Sequence, residues 1–533
     1  MVLAPLFFIL LGWIQIDVVI WQHLRDTLLS HLLWNTVQLV AGVAIGVLVL
    51  GVGLAWAVTQ WEFPGRRFYE WALMLPLAMP AYVLAFVYLG LFDYSGPVQG
   101  LWRNWVDPDA QLIDVRSTWM VITVLVLVLY PYVYLLSRSA FLMQNRAIYD
   151  AAQLLGLSQQ QIFWRLALPI ARPAVVAGTT LALMETLSDF GTVAIFNYDT
   201  FTTAIYKAWF DYFSLSTASQ LASLLLLFVL MLLLTERYLR GRTRYYSDPV
   251  LHQQRSALNR TQRGILLLFI NVILILAFFM PVTQLLIWSM ESAQSVFDPS
   301  YLNLVARTLW LGVSAVLVTV SAALALAFAR RYFNIPIVNH AVTVATLGYA
   351  LPGSVLAVGI MFVFVTADKI SLSVINLFTE TSAHSLFMGT VWALLLAYLI
   401  RFMAVAYGPL DSGLQKIRFE FAEAAQTLGA SRIGVLKEIY LPLLRPGFFT
   451  AATLVLVDVM KEMPATLLLR PFGWDTLAVK IYELTSEGEW KLAALPAITL
   501  VLVGMIPVYL LMQRAITPTS LTQNHSLSKE PGI

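Results

Sequence analysis

The sequence holds no cysteine in 533 residues. That removes disulfide staples, thiolate metal sites and cysteine nucleophiles together, and it leaves the redox compartment unreadable. Charge is scarce as well: Asp, Glu, Lys and Arg make up 12% of the chain, where soluble domains carry about a quarter. A net charge of +3 is small for this length and gives no reason to expect nucleic acid as a partner. The 6 histidines are scattered, without metal-ligand spacing. A G-x-x-x-x-G-K-S/T loop is also missing, so the chain should not hydrolyse ATP itself, and no cofactor of its own is expected.

What is present is apolar. Hydrophobic residues make up 59% of the sequence and the mean hydropathy is +0.76. Crossing the hydrocarbon core takes about 20 apolar residues as a helix. Such segments lie near 2–20, 34–58, 71–92, 118–137, 173–196 and 217–235, and again near 264–289, 305–329, 341–366, 386–408, 447–469 and 495–513. Long continuous runs exclude a β-barrel. The expectation is an all-α polytopic membrane protein with about twelve transmembrane helices as two parallel six-helix repeats, embedded in a lipid bilayer. The expected domains are 1–236 (first repeat), 237–263 (basic linker), 264–515 (second repeat) and 516–533 (disordered polar tail).

Residues 2–16 have no basic leader and no clear cleavage site, so they read as the first span rather than a removed signal, although Gln15 and Asp17 interrupt them. Roughly two thirds of Lys and Arg fall on one side if both termini are cytoplasmic. That side holds Arg66-Arg67, Arg138 to Arg172, the linker from Arg237 to Arg263, and Arg401 to Arg445; the other is more acidic, with Asp93, Asp107, Asp109 and Asp114. The linker run of Arg237, Arg240, Arg242 and Arg244 also suits anionic headgroups.

One polar stretch occurs twice. Tyr149-Asp-Ala-Ala-Gln-Leu-Leu-Gly156 runs on to Leu168-Pro-Ile-Ala-Arg-Pro173, and Ala422-Glu-Ala-Ala-Gln-Thr-Leu-Gly429 runs on to Leu441-Pro-Leu-Leu-Arg-Pro446. Asp150, Ala151, Ala152, Gly156 and Pro169 thus correspond to Glu423, Ala424, Ala425, Gly429 and Pro442. Each copy reads as a short helix stopped by a left-handed glycine, then a second helix begun by Ser158 or Ser431 and ended by its proline. Gln161 completes a capping box in the first copy, where the second has Gly434. One such loop suits an interfacial helix that pads the bundle. Two copies at matching places suit a docking surface, with small alanines for close approach and a carboxylate for a cationic partner.

This pattern is similar to the signature of binding-protein-dependent ABC importer permeases, and the resemblance covers nearly the whole chain. It implies that each loop docks into a separate ABC ATPase subunit, so that two copies of that subunit bind one chain, and that ATP is used only by those partners. It also implies a periplasmic substrate-binding protein and location in a bacterial inner membrane. Asp150 departs from the usual Glu. Leu75-Pro-Leu-Ala-Met-Pro80, Glu185-Thr-Leu-Ser-Asp189 and Lys461-Glu-Met-Pro-Ala465 resemble the iron(III) permeases of this superfamily. Thiamine, polyamine, sulfate and phosphonate permeases share the loop. A secondary transporter driven by an ion gradient is the rival with the same repeat count, although Glu62-Phe-Pro-Gly-Arg-Arg67 only faintly echoes its basic signature. A membrane sensor or scaffold is the other rival.

Glu185 and Asp189 lie one helical turn apart, and Asp458 and Glu462 sit at the same places in the second repeat. Carboxylates at membrane depth are costly and face a cavity or a partner. All four could therefore ring a cation pathway, oxygen ligands suiting a hard cation. The structural alternative pairs Asp458 with Lys461 and Glu462 with Arg470. Tyr82, Tyr88, Trp102, Trp105 and Trp119 read as an interfacial aromatic belt. Pro76, Pro80 and Pro352 read as kinks.

Overall fold

The computed structural model describes residues 2–516 except 15–16, 107–113, 241–255, 297, 334, 376–385, 416, 418, 428 and 430. The expected tail beyond Ile516, Asp107, Asp109 and the linker arginines Arg242 and Arg244 lie outside the described residues.

The first half runs through α1 (Leu3–Leu11), α2 (Leu29–Gln60), α3 (Ala81–Phe92), α4 (Thr118–Leu142), the loop helix α5 (Arg146–Leu154), α6 (Leu168–Ser188), the short α7 (Gly191–Ile195) and α8 (Leu215–Arg240). The second half repeats this order. Helices α9 (Arg260–Leu274) and α10 (Met280–Val296) are joined by a π-helical turn, and α11 (Pro299–Phe333), α12 (Gly353–Ile375) and α13 (Val391–Gln415) follow. The loop helix α14 (Phe419–Thr427), α15 (Leu441–Lys461), the short α16 (Pro464–Leu469) and α17 (Trp490–Ile516) complete it.

Eleven helices among the described residues are long and apolar enough to cross a membrane, not twelve. The missing one is the first. Helix α1 has 9 residues, a length of about 13 Å against a hydrocarbon core of about 30 Å. The Asp17 side chain then caps a new helix, accepting from the Ile20 N–H at 3.3 Å, so the apolar run is divided.

Proline divides two other spans. Around Pro76 and before Pro80 the chain tightens into a 3₁₀ turn at Leu75–Ala78, and the repeat does the same at Leu347–Ala350 before Pro352. Proline cannot donate to the helical ladder, so each break leaves carbonyls without intrahelical partners.

Helices α2 and α4 lie close because Gly42, Gly46 and Gly51 face Ile122, Val126 and Val133; a Cβ on any of the three would overlap those side chains. The first helix of each half packs on the other half. Pro5 of α1 meets Gly359 of α12. In exchange, Trp288 of α10 stacks on Phe86 of α3 with ring centroids 6.3 Å apart, and the Tyr88 hydroxyl donates to the Leu276 carbonyl at 3.1 Å. The three buried clusters among the described residues accordingly mix residues of both halves. The described end of the linker joins the first half as well, where β1 (Trp61–Glu62) pairs in parallel with β2 (Ser256–Ala257).

Candidate functional site

Helices α6 and α15 stop at the same repeat position, and in both a carboxylate one residue beyond the last turn holds the ending. Asp189 accepts from the N–H groups of Thr192 (3.0 Å) and Val193 (3.2 Å) and from the Thr192 hydroxyl (2.9 Å). Glu462 accepts from the Ala465 N–H at 3.0 Å. These are the orphan donors at the starts of α7 and α16, which a side-chain oxygen must satisfy once they are buried. Two of the four expected pathway carboxylates are therefore helix caps.

The breaks open onto a cavity of about 180 Å³ in the middle of the molecule, lined from both halves. Glu185, Asp189, Asp458 and Glu462 all contribute to its wall. Glu185 accepts a hydrogen bond from the Tyr349 hydroxyl of the opposite half at 3.2 Å. Asp458 has no hydrogen bond or ion pair among the described residues, although it lies within the field of Lys461.

The cations of the cavity are not where the sequence suggested. Arg401, counted above with a basic loop, sits inside α13 and is 8% exposed. Its Nε lies 3.0 Å from a Glu462 carboxylate oxygen, and its Nη1 donates to the Leu351 carbonyl at 2.9 Å. Arg470 is not the partner of Glu462; it pairs with Asp475 and, at 2.8 Å, with Glu483. Lys461 forms no ion pair with Asp458 among the described residues. Its Nζ donates at 2.9 Å to the Leu77 carbonyl, one of those freed by the proline break in the first half. Tyr82 and Tyr88 are buried rather than belt residues, and Tyr82 lines the cavity, while Trp105 and Trp119 are exposed. Arg401 was missed as a cavity residue because its partners are distant in sequence, and Lys461 was read beside Asp458 but without its distant Leu77 partner; an ionisable residue inside an apolar run was the available signal for Arg401.

Both polar loops fold as helix–turn–helix. Gly156 and Gly429 have φ of +83° and +90°, a conformation that an L side chain rarely adopts. Ser158 and Gln161 form the expected capping box, and the Ser431 hydroxyl accepts from the Gly434 N–H at 3.1 Å without a reciprocal side chain. Pro169 and Pro442 do not end the second helix. A π-helical turn at Phe163–Ala167 or Leu436–Tyr440 shifts the hydrogen-bond register just before the proline, and the helix continues into α6 or α15.

Asp150, Ala151, Gly156 and Pro169 are exposed and Ala152 is buried; Glu423, Ala424, Gly429 and Pro442 are exposed, and Ala425 lies in α14. Leu154 and Leu155 are also open to solvent, at 89% and 83%. Each loop is fastened beneath. Trp56 of α2 packs on Tyr149 and Phe163, with centroids 6.2 and 5.0 Å away, and the Tyr149 hydroxyl bonds Gln144. At the matching place in α11, Phe328 packs on Tyr440 at 5.4 Å, and Arg331 reaches the Leu414 and Ile417 carbonyls.

The sequence matches the model of binding-protein-dependent transport system inner membrane components over residues 47–245 and 321–518. It is 28% identical to an Fe(3+)-transport system permease of Haemophilus influenzae, over 91% of this chain and 90% of that one. It is 34% identical to a sulfate transport system permease of Escherichia coli, over 33% of this chain and 58% of that one. A Salmonella typhimurium protein named for 2-aminoethylphosphonate transport is 28% identical over 44% of this chain and 87% of its own length.

Proposed function

The chain belongs to the family of binding-protein-dependent transport system inner membrane components, a multi-pass ABC importer permease rather than an enzyme, and from that premise we propose that its substrate is iron(III). The observation that carries this reading is the central cavity, where Glu185 and Asp458 from opposite halves present carboxylates that no ion pair neutralises among the described residues. Oxygen donors suit a hard cation. A sulfate or phosphonate would meet two like charges against the single ammonium of Lys461, since the Arg401 guanidinium is engaged by Glu462. The relative similar across both halves is named for Fe(3+) transport, whereas the sulfate and phosphonate relatives match less than half of this chain.

On this reading a periplasmic binding protein delivers the cation, with both termini in the cytoplasm. Two ATPase subunits dock on α5 and α14, and the chain itself binds no cofactor. ATP closes the ATPase pair, and the loops pass that movement to α6 and α15 through unbroken helix. The halves then rock so that the cavity opens alternately to either side. Thiamine and polyamines are also cations, so they form the competing substrate class.

The test is reconstitution in vesicles with the ATPase and binding proteins. Ferric-loaded binding protein should stimulate ATP hydrolysis, and thiamine-, polyamine- or sulfate-loaded protein should not. Glu185→Ala with Asp458→Ala should abolish iron uptake while the chain still inserts. Stimulation by another loaded protein, or unchanged uptake in the double variant, would overturn the assignment.

A further inference from the structure

One ammonium in the cavity is explained neither by an ion pair nor by the repeat. Lys461 ends α15 where Ser188 ends α6. Its Nζ is held by the Leu77 carbonyl of the first half, and it shares the cavity wall with Glu185 and Asp458, the two carboxylates whose charge acts on it. Space has been kept for it. A Cβ on Gly504 of α17 would lie 2.8 Å from the Lys461 Nζ and 2.4 Å from the Ala78 carbonyl oxygen. Elements of both halves are thus shaped around one amino group, at a depth where charge persists only with a reason. A second group faces the same space: the Tyr82 hydroxyl, on a residue 5% exposed, has no hydrogen-bond partner among the described residues. Among the described residues no group of three or more His, Cys, Asp or Glu is placed to hold a metal ion.

We propose that Lys461 is a tethered counter-cation that keeps the hold of Glu185 and Asp458 on a passing cation weak enough for release. The proposal rests on the cation-pathway reading above. Two bare carboxylates in a cavity of low dielectric would bind a trivalent ion tightly and stall transport, and conduction requires a site weak enough to leave. A fixed positive charge beside them subtracts from that attraction in proportion to the charge of the ion. The loss is therefore greatest for a trivalent ion and smaller for a divalent one. Lys461 is on this account specificity-determining: it sets residence time, and Leu77 and Gly504 position it.

The purified full chain in lipid nanodiscs can be titrated with terbium(III), a hard trivalent probe whose luminescence Tyr82, Tyr132 and Tyr349 of the cavity wall can sensitise. Lys461→Gln keeps an N–H for the Leu77 carbonyl and removes the charge. It should bind terbium at least about tenfold more tightly than wild type and show a smaller gain for calcium, as removal of one like charge near the ion requires. Lys461→Met, which cannot donate, should show the same gain, whereas Lys461→Arg should bind as weakly as wild type. Asp458→Asn combined with Lys461→Gln should lose the gain. Equal terbium affinity in folded Lys461→Gln and wild type overturns the proposal, and so does a gain that survives Asp458→Asn or is equal for both ions. The titration needs neither ATPase nor binding protein. Failure of ferric-loaded binding protein to stimulate hydrolysis would thus remove iron(III) as substrate without touching this result.

Discussion

A guanidinium that is 8% exposed inside an apolar bundle is tolerable only because its charge is paired. Arg401 meets Glu462 on one edge and the Leu351 carbonyl on another, and Gly353 leaves room for the pair, since a Cβ there would sit 2.5 Å from a Glu462 oxygen. Replacing two such ions by apolar groups can be nearly neutral, but removing one leaves the other buried and unpaired. Arg401→Met should therefore destabilise the chain by roughly 3–5 kcal/mol, read as a lower thermal midpoint in detergent. Adding Glu462→Gln should recover part of the loss, because the neutral amide can still accept from Ala465. Equal midpoints for Arg401→Met and wild type would contradict this. The four cavity carboxylates were legible in the sequence because a charged residue stands out in an apolar run. Their division into two caps and two groups without an ion pair among the described residues was not, since Thr192 and Ala465 acquire their role only where α6 and α15 stop. Nor was Arg401 legible as a cavity residue, because its partner lies in another helix.

At the scale of elements, the two loops are the most local features of the chain, and that is why they could be read early. A left-handed glycine, a serine cap and an alanine pair act over a few residues, so no tertiary partner was needed to see a helix–turn–helix. The proline was misread for the opposite reason. Proline ends an α-helix unless the register before it shifts, and the π turn at Phe163–Ala167 makes that shift. The consequence is mechanical, because α5 and α14 are joined to the cavity-lining α6 and α15 through one turn and a continuous helix. Asp150→Ala and Gly156→Asp together with Glu423→Ala and Gly429→Asp should abolish vesicle uptake while leaving membrane insertion intact. Each aspartate would also have to adopt a φ near that of the glycine, which costs roughly 1–2 kcal/mol locally. Variants confined to one loop should retain partial uptake. Full uptake with both loops altered would remove the coupling role.

For the whole molecule, the repeat invites the picture of two independent six-helix bundles joined by a linker, and the packing contradicts it. Helix α1 lies on α12 and α10 lies on α3, so each half completes the other, and the buried clusters cross the boundary. The exchange also explains how a first segment only 9 residues long can be retained: α1 is held by helices of both halves. Sequence periodicity could report the repeat but not the exchange, because contacts between repeats leave no mark on the spacing within either. If the mutual packing rather than the covalent link holds the halves together, cutting the chain within 241–255 should be harmless when both pieces are present. Residues 1–248 and 249–533 expressed together should co-purify and restore uptake. Either piece alone, its apolar faces on α3 or α12 uncovered, should be degraded or aggregate. A first piece lacking residues 1–12 should associate more weakly with the second, read as a lower yield of co-purified complex. If the truncated piece co-purifies as fully as the intact one, α1 is not part of what joins the halves, and the remaining contacts between them must carry the association.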